Sequence, residues 1–289
     1  MASSDKEQRK NKVTEIKISP VSFALEEKKE NITLTTNTPS KPSKEQIINQ
    51  AFKFHSQGNI SEAVKYYQYF IDQGFKDYRV FYNYGIILKN LGNLQEAEFS
   101  YRKAIELNPN LAEAYYNLGN ILKDLCNLQE AELSYRKAIK LNPNLAEAYY
   151  NLGNILKDLG NLKEAELLYR KAIKLNPDLA KAYYNLGNIL KDLGKLKDAE
   201  ISYRKAIEMK PDFGEAHFNL GFILQASSKL DDAIYNFNKA QQNKMDPKKC
   251  IAAIGKVLLK QGKYVEGIRN IRKGEGAIIF DLRNGFCKI

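Results

Sequence analysis

The stretch YYNLGNILKDLG occupies residues 149–160, and the same twelve letters stand again at residues 183–194. With cysteine in place of the last glycine, they also occupy residues 115–126. Each copy begins 34 residues after the one before it, so a unit of this length is repeated along the chain. Self-similarity at a fixed period of about 20–50 residues predicts an array of stacked structural units.

Dividing the chain into frames of 34 residues from Lys44 gives six full units and a partial seventh. These units are residues 44–77, 78–111, 112–145, 146–179, 180–213, 214–247 and 248–273. Counted within each unit, positions 8 and 20 are always alanine or glycine, and position 24 is aromatic in six units. Small residues let two helices approach closely, and the aromatic ring fills the space that they leave. We therefore predict two closely packed helices per unit.

The fourth unit shows where these helices are expected to begin and end. Asn144 is predicted to cap the first helix, with Glu147 at the third helical position, and Gly160 to end it. Apolar residues recur at helical spacing through residues 162–173, which predicts a second helix. Pro177 is expected to end this helix. Glutamate precedes arginine by four residues on the outer side of this helix, which predicts a solvated face of ion pairs.

The first helix is apolar over two adjoining sides. At about 100° per residue, Tyr149, Leu152 and Leu156 lie on one side, and Ile155 and Leu159 on the other. A single helical hairpin cannot cover both sides, whereas stacked hairpins can. Each unit is therefore expected to serve as part of the core of the next one.

The full pattern resembles the tetratricopeptide repeat family. Tyrosine replaces the usual tryptophan at position 4, and Leu-Gly, a large residue, alanine, an aromatic residue, alanine and proline follow in register. The resemblance covers residues 44 to about 273. It implies an all-α fold, a right-handed superhelical solenoid of about six to seven stacked helix-turn-helix units with a concave groove.

The two ends of the chain differ from the repeats. Residues 1–43 are polar and without periodicity, which predicts a disordered leader. Residues 248–289 carry 10 basic and 3 acidic groups, against 27 and 25 in residues 44–247, so much of the net charge of +11 lies at the carboxyl end. The tail at residues 274–289 contains an Asn284-Gly285 pair, which favours a hairpin that caps the last repeat.

Several classes of protein are not indicated. The first residues lack the apolar segment of a secretory signal, and no apolar run approaches the roughly 18 residues of a membrane span. The three cysteines have no metal-ligand spacing, which favours a reducing compartment, and we expect a cytoplasmic protein. His55 and His217 are far apart in the repeat, and His217 is expected to be a packing residue. We predict no enzymatic activity, no cofactor and no metal.

A partner-binding groove is predicted on the part of the first helices that is not needed for packing. Unit position 5 is aromatic and position 6 is asparagine in five units, and three of these units have both asparagine at position 9 and lysine at position 12. The candidates are Tyr82, Asn83, Tyr116, Asn117, Asn120, Lys123, Tyr150, Asn151, Asn154, Lys157, Tyr184, Asn185, Asn188, Lys191, Phe218 and Asn219. Because an asparagine amide is both donor and acceptor, such a file can pair with the backbone of an extended chain.

These repeats are similar to the superhelical arm of the O-linked N-acetylglucosamine transferase family, whose concave asparagines hold peptide backbones. By frame position, that role carries over to Asn83, Asn117, Asn151, Asn185 and Asn219. Two alternatives stay open: repeat duplication copied these asparagines passively, or they bond a neighbouring repeat. A carboxylate clamp of the kind found in chaperone-binding repeats is incomplete, because Tyr116 and Asn185 stand where basic groups belong.

The function expected from the sequence is that of a scaffold or adaptor that binds a protein or an extended peptide. One alternative is a substrate-recruiting arm associated with a protein glycosyltransferase. Another is weak nucleic-acid binding through the basic end, although no base-reading motif is present and an acidic protein partner is favoured. A homo-oligomer is possible if the last unit leaves an apolar face open.

Overall fold

A computed structural model of the protein describes residues 42–276 and, by their backbone alone, residues 279–281 and 286–288. Fourteen helices are found in this part of the chain. They are α1 Lys44–Ser56, α2 Ile60–Asp72, α3 Tyr78–Asn90, α4 Leu94–Leu107, α5 Ala112–Asp124, α6 Leu128–Leu141, α7 Ala146–Asp158, α8 Leu162–Leu175, α9 Ala180–Asp192, α10 Leu196–Met209, α11 Gly214–Ala226, α12 Leu230–Gln242, α13 Pro247–Lys260 and α14 Tyr264–Glu275. Apart from its last two residues, the predicted leader lies outside the described residues.

The helices form seven consecutive hairpins, one for each unit. Every odd-numbered helix packs against the even-numbered helix that follows it, and the hairpins stack in chain order. One buried apolar cluster continues from Leu88 in α3 to Leu258 in α13. The predicted helical repeat architecture is confirmed. The seventh unit, expected to be partial and to end at residue 273, has both of its helices and ends at Glu275.

The contact between the two helices of a unit is built on glycine and an aromatic ring. In the fourth unit, Tyr169 is completely buried and lies against the backbone of Gly153. A Cβ atom added to Gly153 would stand 2.8 Å from the ring, a distance that Cβ atoms essentially never show. The equivalent pairs in other units are Gly85 with Tyr101, Gly119 with Tyr135, Gly187 with Tyr203, and Gly221 with Phe237. This contact explains why a small residue at position 8 and an aromatic residue at position 24 recur together in the sequence.

Two details of the expected helix boundaries are wrong. The N-cap of α7 is Leu145 rather than Asn144, and no side chain caps this helix. The Asn144 N–H instead donates to Oδ1 of Asn142 at 3.1 Å, as part of the turn that precedes the helix. Leu159 was expected to pack in the core, but it is 47% exposed because α7 already ends at Asp158.

Ion pairs cover the outer side of the even-numbered helices, as expected. Glu98 pairs with Arg102 at 2.8 Å, and the same pair recurs as Glu132/Arg136, Glu166/Arg170 and Glu200/Arg204. Further pairs join neighbouring units. They are Arg102–Glu130, Arg136–Glu164, Lys195–Glu166 and Lys229–Glu200. Most members are substantially exposed, so each pair contributes at most about 1 kcal/mol.

The turn inside each hairpin requires a left-handed residue. After α5, the Asn127 N–H donates to the Leu122 carbonyl and the Cys126 N–H donates to the Lys123 carbonyl, which is a Schellman motif. Glycine occupies the left-handed position in most units, for example Gly160 with φ of 80°. Cys126 occupies it with φ of 61°. Cys126 therefore adopts a backbone conformation that is favourable for glycine and strained for a residue with a Cβ atom.

We expect Cys126→Gly to raise the free energy of unfolding by up to about 1 kcal/mol, because it relieves the left-handed strain of a residue with a Cβ atom. The matched control is Gly160→Cys, which should lower it by a similar amount, since a Cβ added there meets nothing within 4 Å and only the left-handed backbone opposes it. Urea denaturation of both variants measures the difference. Destabilisation by Cys126→Gly would mean that the exposed thiol contributes more than the turn costs.

The tail contains two short strands. Strand β1 Ile279–Asp281 pairs antiparallel with β2 Phe286–Lys288, with Phe280 opposite Cys287. This is the pairing that a hairpin requires, although the Asn284-Gly285 turn itself lies outside the described residues. Capping of the last repeat by the tail stays a prediction. None of the described helices is long and apolar enough to cross a membrane.

Candidate functional site

The predicted groove residues all lie on odd-numbered helices, from α3 to α11. Asn120 is buried, and the other fifteen are half-buried. They are therefore less exposed than side chains that face only solvent. The hydrogen bonds of the asparagines explain this partial burial.

The asparagines connect one unit to the next. Nδ2 of Asn151 donates to Oδ1 of Asn120 at 3.0 Å and lies 3.5 Å from the Tyr116 hydroxyl, both in the preceding unit. The Tyr135 hydroxyl donates to the same Asn120 oxygen at 2.8 Å. One asparagine oxygen thus accepts from its own unit and from the following one.

This arrangement repeats along three consecutive boundaries, and we call it the asparagine ladder. Asn185 donates to Asn154, which also accepts from Tyr169, and Asn219 donates to Asn188, which also accepts from Tyr203. Burial raises the pKa of each of these three position-24 tyrosine hydroxyls, so they stay protonated and able to donate. The interpretation that asparagines bond a neighbouring repeat is therefore correct for the Nδ2 groups of Asn117, Asn151, Asn185 and Asn219.

The ladder leaves one polar atom of each position-6 asparagine available. Oδ1 of Asn117, Asn151, Asn185 and Asn219 accepts no hydrogen bond from the residues that the structure describes, and these oxygen atoms are not buried. Asn83 is similar, since its Nδ2 donates to the Arg79 carbonyl in its own helix. The amides were expected to offer both a donor and an acceptor to a ligand. Each Nδ2 group uses at least one of its two N–H donors within the solenoid, and the Oδ1 atoms form a file of acceptors without a partner among the described residues.

Asparagines at position 9 have a different role. Asn120 has an exposed fraction of 8%, and its oxygen already accepts two hydrogen bonds. Sequence reasoning grouped these residues with the groove because it treated each helix surface separately. The missed members of the site are the position-24 tyrosines. A signal was present: asparagine at position 9 occurs with tyrosine at position 24, and Phe222 occurs with Phe237.

This pairing fails in the first unit, which has Phe52 and Tyr67, and also in the second unit. Position 9 is Ile86 there, yet position 24 is Tyr101, and the hydroxyl of Tyr101 is buried without a hydrogen-bond partner. A buried hydroxyl that loses its partner costs about 1–3 kcal/mol. The second unit therefore carries a polar group that the ladder does not satisfy.

Phenylalanine substitutions at Tyr101 and Tyr135 should have opposite effects. Tyr101→Phe removes an unsatisfied hydroxyl and is expected to raise the free energy of unfolding by about 1 kcal/mol. Tyr135→Phe removes the hydrogen bond to Asn120 and is expected to lower it by about 1 kcal/mol. Urea denaturation under identical conditions compares the two. Equal losses in both variants would contradict the assignment of Tyr101 as unsatisfied.

The position-12 lysines border the same surface. Lys123, Lys157 and Lys191 lie near the carboxylate of the following aspartate, at 3.6, 3.2 and 3.9 Å, respectively. All three keep more than a third of their side-chain surface exposed, so these contacts are weak. Their ammonium groups can exchange an aspartate for the carbonyl or carboxylate of a ligand.

The remaining residues considered for chemistry have structural roles. Nδ1 of His217 contacts Oδ1 of Asn236 at 2.9 Å, and its Nε2 contacts the Pro211 carbonyl at 3.2 Å, so this buried ring joins α11 to α12. Burial raises the pKa of the Cys250 thiol to about 11. Across the residues that the structure describes, no group of three or more histidine, cysteine or acidic side chains is placed to hold a metal ion.

Several family models match the chain. A model described as TPR repeat matches residues 85–125 and 153–194. Two models described as tetratricopeptide repeat match residues 112–145 and 180–213, and residues 134–166 and 202–235. Together they run without a gap from residue 85 to residue 235, which is more than half of the chain. No curated protein sequence gave a significant match.

Solved structures with the same architecture include MamA and YrrB. MamA is 28% identical with a TM-score of 0.52, over 62% of this chain and 97% of MamA. YrrB, described as a TPR protein with an unusual peptide-binding site, is 25% identical with a TM-score of 0.57, over 65% of this chain and 96% of YrrB. PilF of Pseudomonas aeruginosa, 18% identical with a TM-score of 0.58 over 67% of this chain and 88% of its own, shows the fold alone. None of these three is described as a glycosyltransferase.

Proposed function

Because the chain belongs to the tetratricopeptide repeat family, we propose that it is an interaction scaffold that binds an extended peptide segment of a protein partner along the asparagine ladder. The observation that carries this proposal is the file of free Oδ1 acceptors. One such oxygen stands in each unit from the second to the sixth, on Asn83, Asn117, Asn151, Asn185 and Asn219. An extended peptide presents N–H donors at regular intervals, which such a file can meet.

The ladder also explains how these acceptors are held in place. Nδ2 of each position-6 asparagine from Asn117 onward is fixed by a group of the preceding unit, so the amide cannot rotate freely. A ligand that binds such pre-oriented groups loses less conformational entropy at the site. Half-buried tyrosines at position 5 lie beside them and offer apolar surface to the ligand side chains.

The similarity of the repeats to the transferase arm supports the same mode of binding, asparagine against peptide backbone. A role as a recruiting arm for a glycosyltransferase is a narrower proposal with less support, since the structural neighbours named above are not described as transferases. It predicts that the chain co-purifies with a transferase activity. Peptide binding itself does not depend on that outcome.

Peptides selected from a random 12-residue library on phage provide the test. We expect the wild-type protein to enrich peptides that bind one to one in titration calorimetry. Hydrogen–deuterium exchange should then show protection on the odd-numbered helices α5, α7 and α9. Protection confined to the even-numbered helices, or no enrichment at all, would contradict the proposal.

A further inference from the structure

The polar surface of the odd-numbered helices changes in the sixth unit. Position 9 is Phe222, which is 39% exposed, where the three preceding units have asparagine. Position 5 is Phe218 rather than tyrosine, and position 24 is Phe237. The ring centroids of Phe222 lie 4.9 Å from Phe218 and 5.1 Å from Phe237, in edge-to-face contacts. Three rings without a hydroxyl thus replace one step of the ladder.

The ladder ends at this place. Asn219 still donates back to Asn188 in the fifth unit. In the seventh unit, position 6 is Ala253 and position 9 is Lys256, so no asparagine continues the file. The surface therefore has one end at which the groups that face a ligand are aromatic and basic.

A cavity of about 210 Å³ lies between α11, α13 and α14 at this end. It is lined by Phe218, Phe222, Lys249, Ala252, Ala253, Lys256, Gly274 and Glu275. Pockets for drug-sized molecules enclose roughly 300–1,000 Å³, so this one has the size for a single side chain. Its walls are phenylalanine rings and small residues, which suit an apolar group.

The rim of the cavity is positively charged. Lys256 pairs with Glu275 at 2.7 Å, so these two charges offset each other. Lys249 is exposed and forms no ion pair with any residue that the structure describes. One uncompensated ammonium group therefore stands beside an apolar opening, and an acidic group on a ligand would complement it.

We propose that this cavity takes one bulky apolar side chain of the bound peptide, such as leucine, methionine or phenylalanine, with a carboxylate close to it in sequence that meets Lys249. The proposal rests on the function proposed above and deepens it. The ladder offers similar contacts in several units, and the Phe218/Phe222 pocket fixes which part of the peptide lies at the carboxyl end. Specificity thus comes from the unit at which the ladder ends.

The test repeats the phage selection with a variant of matched design, Phe222→Asn with Phe237→Tyr. This double substitution installs the asparagine and tyrosine pair of the preceding units, so the helix contact is preserved. We expect peptides selected by the wild type to share a bulky apolar residue next to aspartate or glutamate. The variant should still enrich peptides but lose this shared pattern, and it should bind a wild-type-selected peptide at least about tenfold more weakly, since the burial of one apolar side chain is lost.

A second variant tests the charge without altering the rings. Lys249→Glu should reverse the preference from acidic to basic residues beside the apolar one, whereas Lys248→Glu, on the same helix but outside the cavity, should not. Circular dichroism confirms folding of each variant. Peptides without an apolar pattern, or the same pattern from wild type and double variant, would overturn this inference and leave the scaffold function standing. Failure of the wild type to enrich any peptide would overturn both.

Discussion

Replacing Tyr169 by alanine is expected to lower the free energy of unfolding by about 3–5 kcal/mol, as for other large-to-small core substitutions. The ring is fully buried against the Gly153 backbone, and its hydroxyl donates to Asn154 at 2.8 Å. Alanine would leave a cavity between α7 and α8 because glycine on the facing helix has no side chain to fill it. Urea denaturation followed by circular dichroism measures the loss.

Two further variants separate the contribution of the Tyr169 hydroxyl from that of its ring. Tyr169→Phe keeps the ring and should cost only about 1 kcal/mol, the value of the hydroxyl's hydrogen bond. Gly153→Ala should destabilise the wild type, since its Cβ would stand 2.8 Å from the ring. In the Tyr169→Ala background the same change should stabilise, because the ring is gone and alanine is favoured in helices by about 1 kcal/mol. Additive effects in this cycle would show that the two positions do not pack against each other.

Replacing Asn117, Asn151 and Asn185 together by alanine is expected to weaken binding of a selected peptide about 100-fold. Each substitution removes one free Oδ1 acceptor, and a net loss of about 1 kcal/mol for each of three hydrogen bonds corresponds to roughly this factor. Titration calorimetry with a peptide selected by the wild type gives the ratio. The variant also loses bonds between units, so a drop in stability is expected alongside.

The position-9 asparagines provide the control for that structural effect. Asn120, Asn154 and Asn188 changed to alanine would strand three tyrosine hydroxyls and remove one acceptor from each of three Nδ2 groups, which keep the position-5 tyrosine hydroxyls as partners, while the position-6 acceptors remain. This variant should lose at least as much stability but change peptide affinity by less than about tenfold. Both variants are compared at a temperature where circular dichroism shows them folded. Equal losses of affinity would mean that position 6 acts only through the geometry of the solenoid.

The sequence alone predicts the repeat, its two helices and the pairing of glycine with an aromatic ring, because all of these depend on residues that recur at one spacing. Cys126 in a left-handed turn follows from its alignment with Gly160. The N-cap at Asn144 was wrong because a turn with its own hydrogen bond competes for that residue.

The role of the groove asparagines could be predicted only in part. A single helix, seen along its axis, places positions 6 and 9, such as Asn151 and Asn154 of α7, on the same outward arc. It does not show that α7 brings Asn151 within 3.0 Å of Asn120 on α5. That distance depends on how far one unit is displaced from the next, which periodicity within a unit does not encode. The joint occurrence of asparagine at position 9 and tyrosine at position 24 in three units was the available signal.

The sameness of the ladder steps makes the length of the solenoid adjustable by whole units. If residues 146–179 were deleted, Asn185 would face Asn120 in place of Asn154, with an identical donor and acceptor. Arg136 would face Asp198 in place of Glu164, another carboxylate. No new contact would have to evolve at the junction. Gene segments of this kind can therefore be lost or duplicated by unequal recombination, and each such event moves the Phe218/Phe222 pocket by one asparagine relative to the first unit.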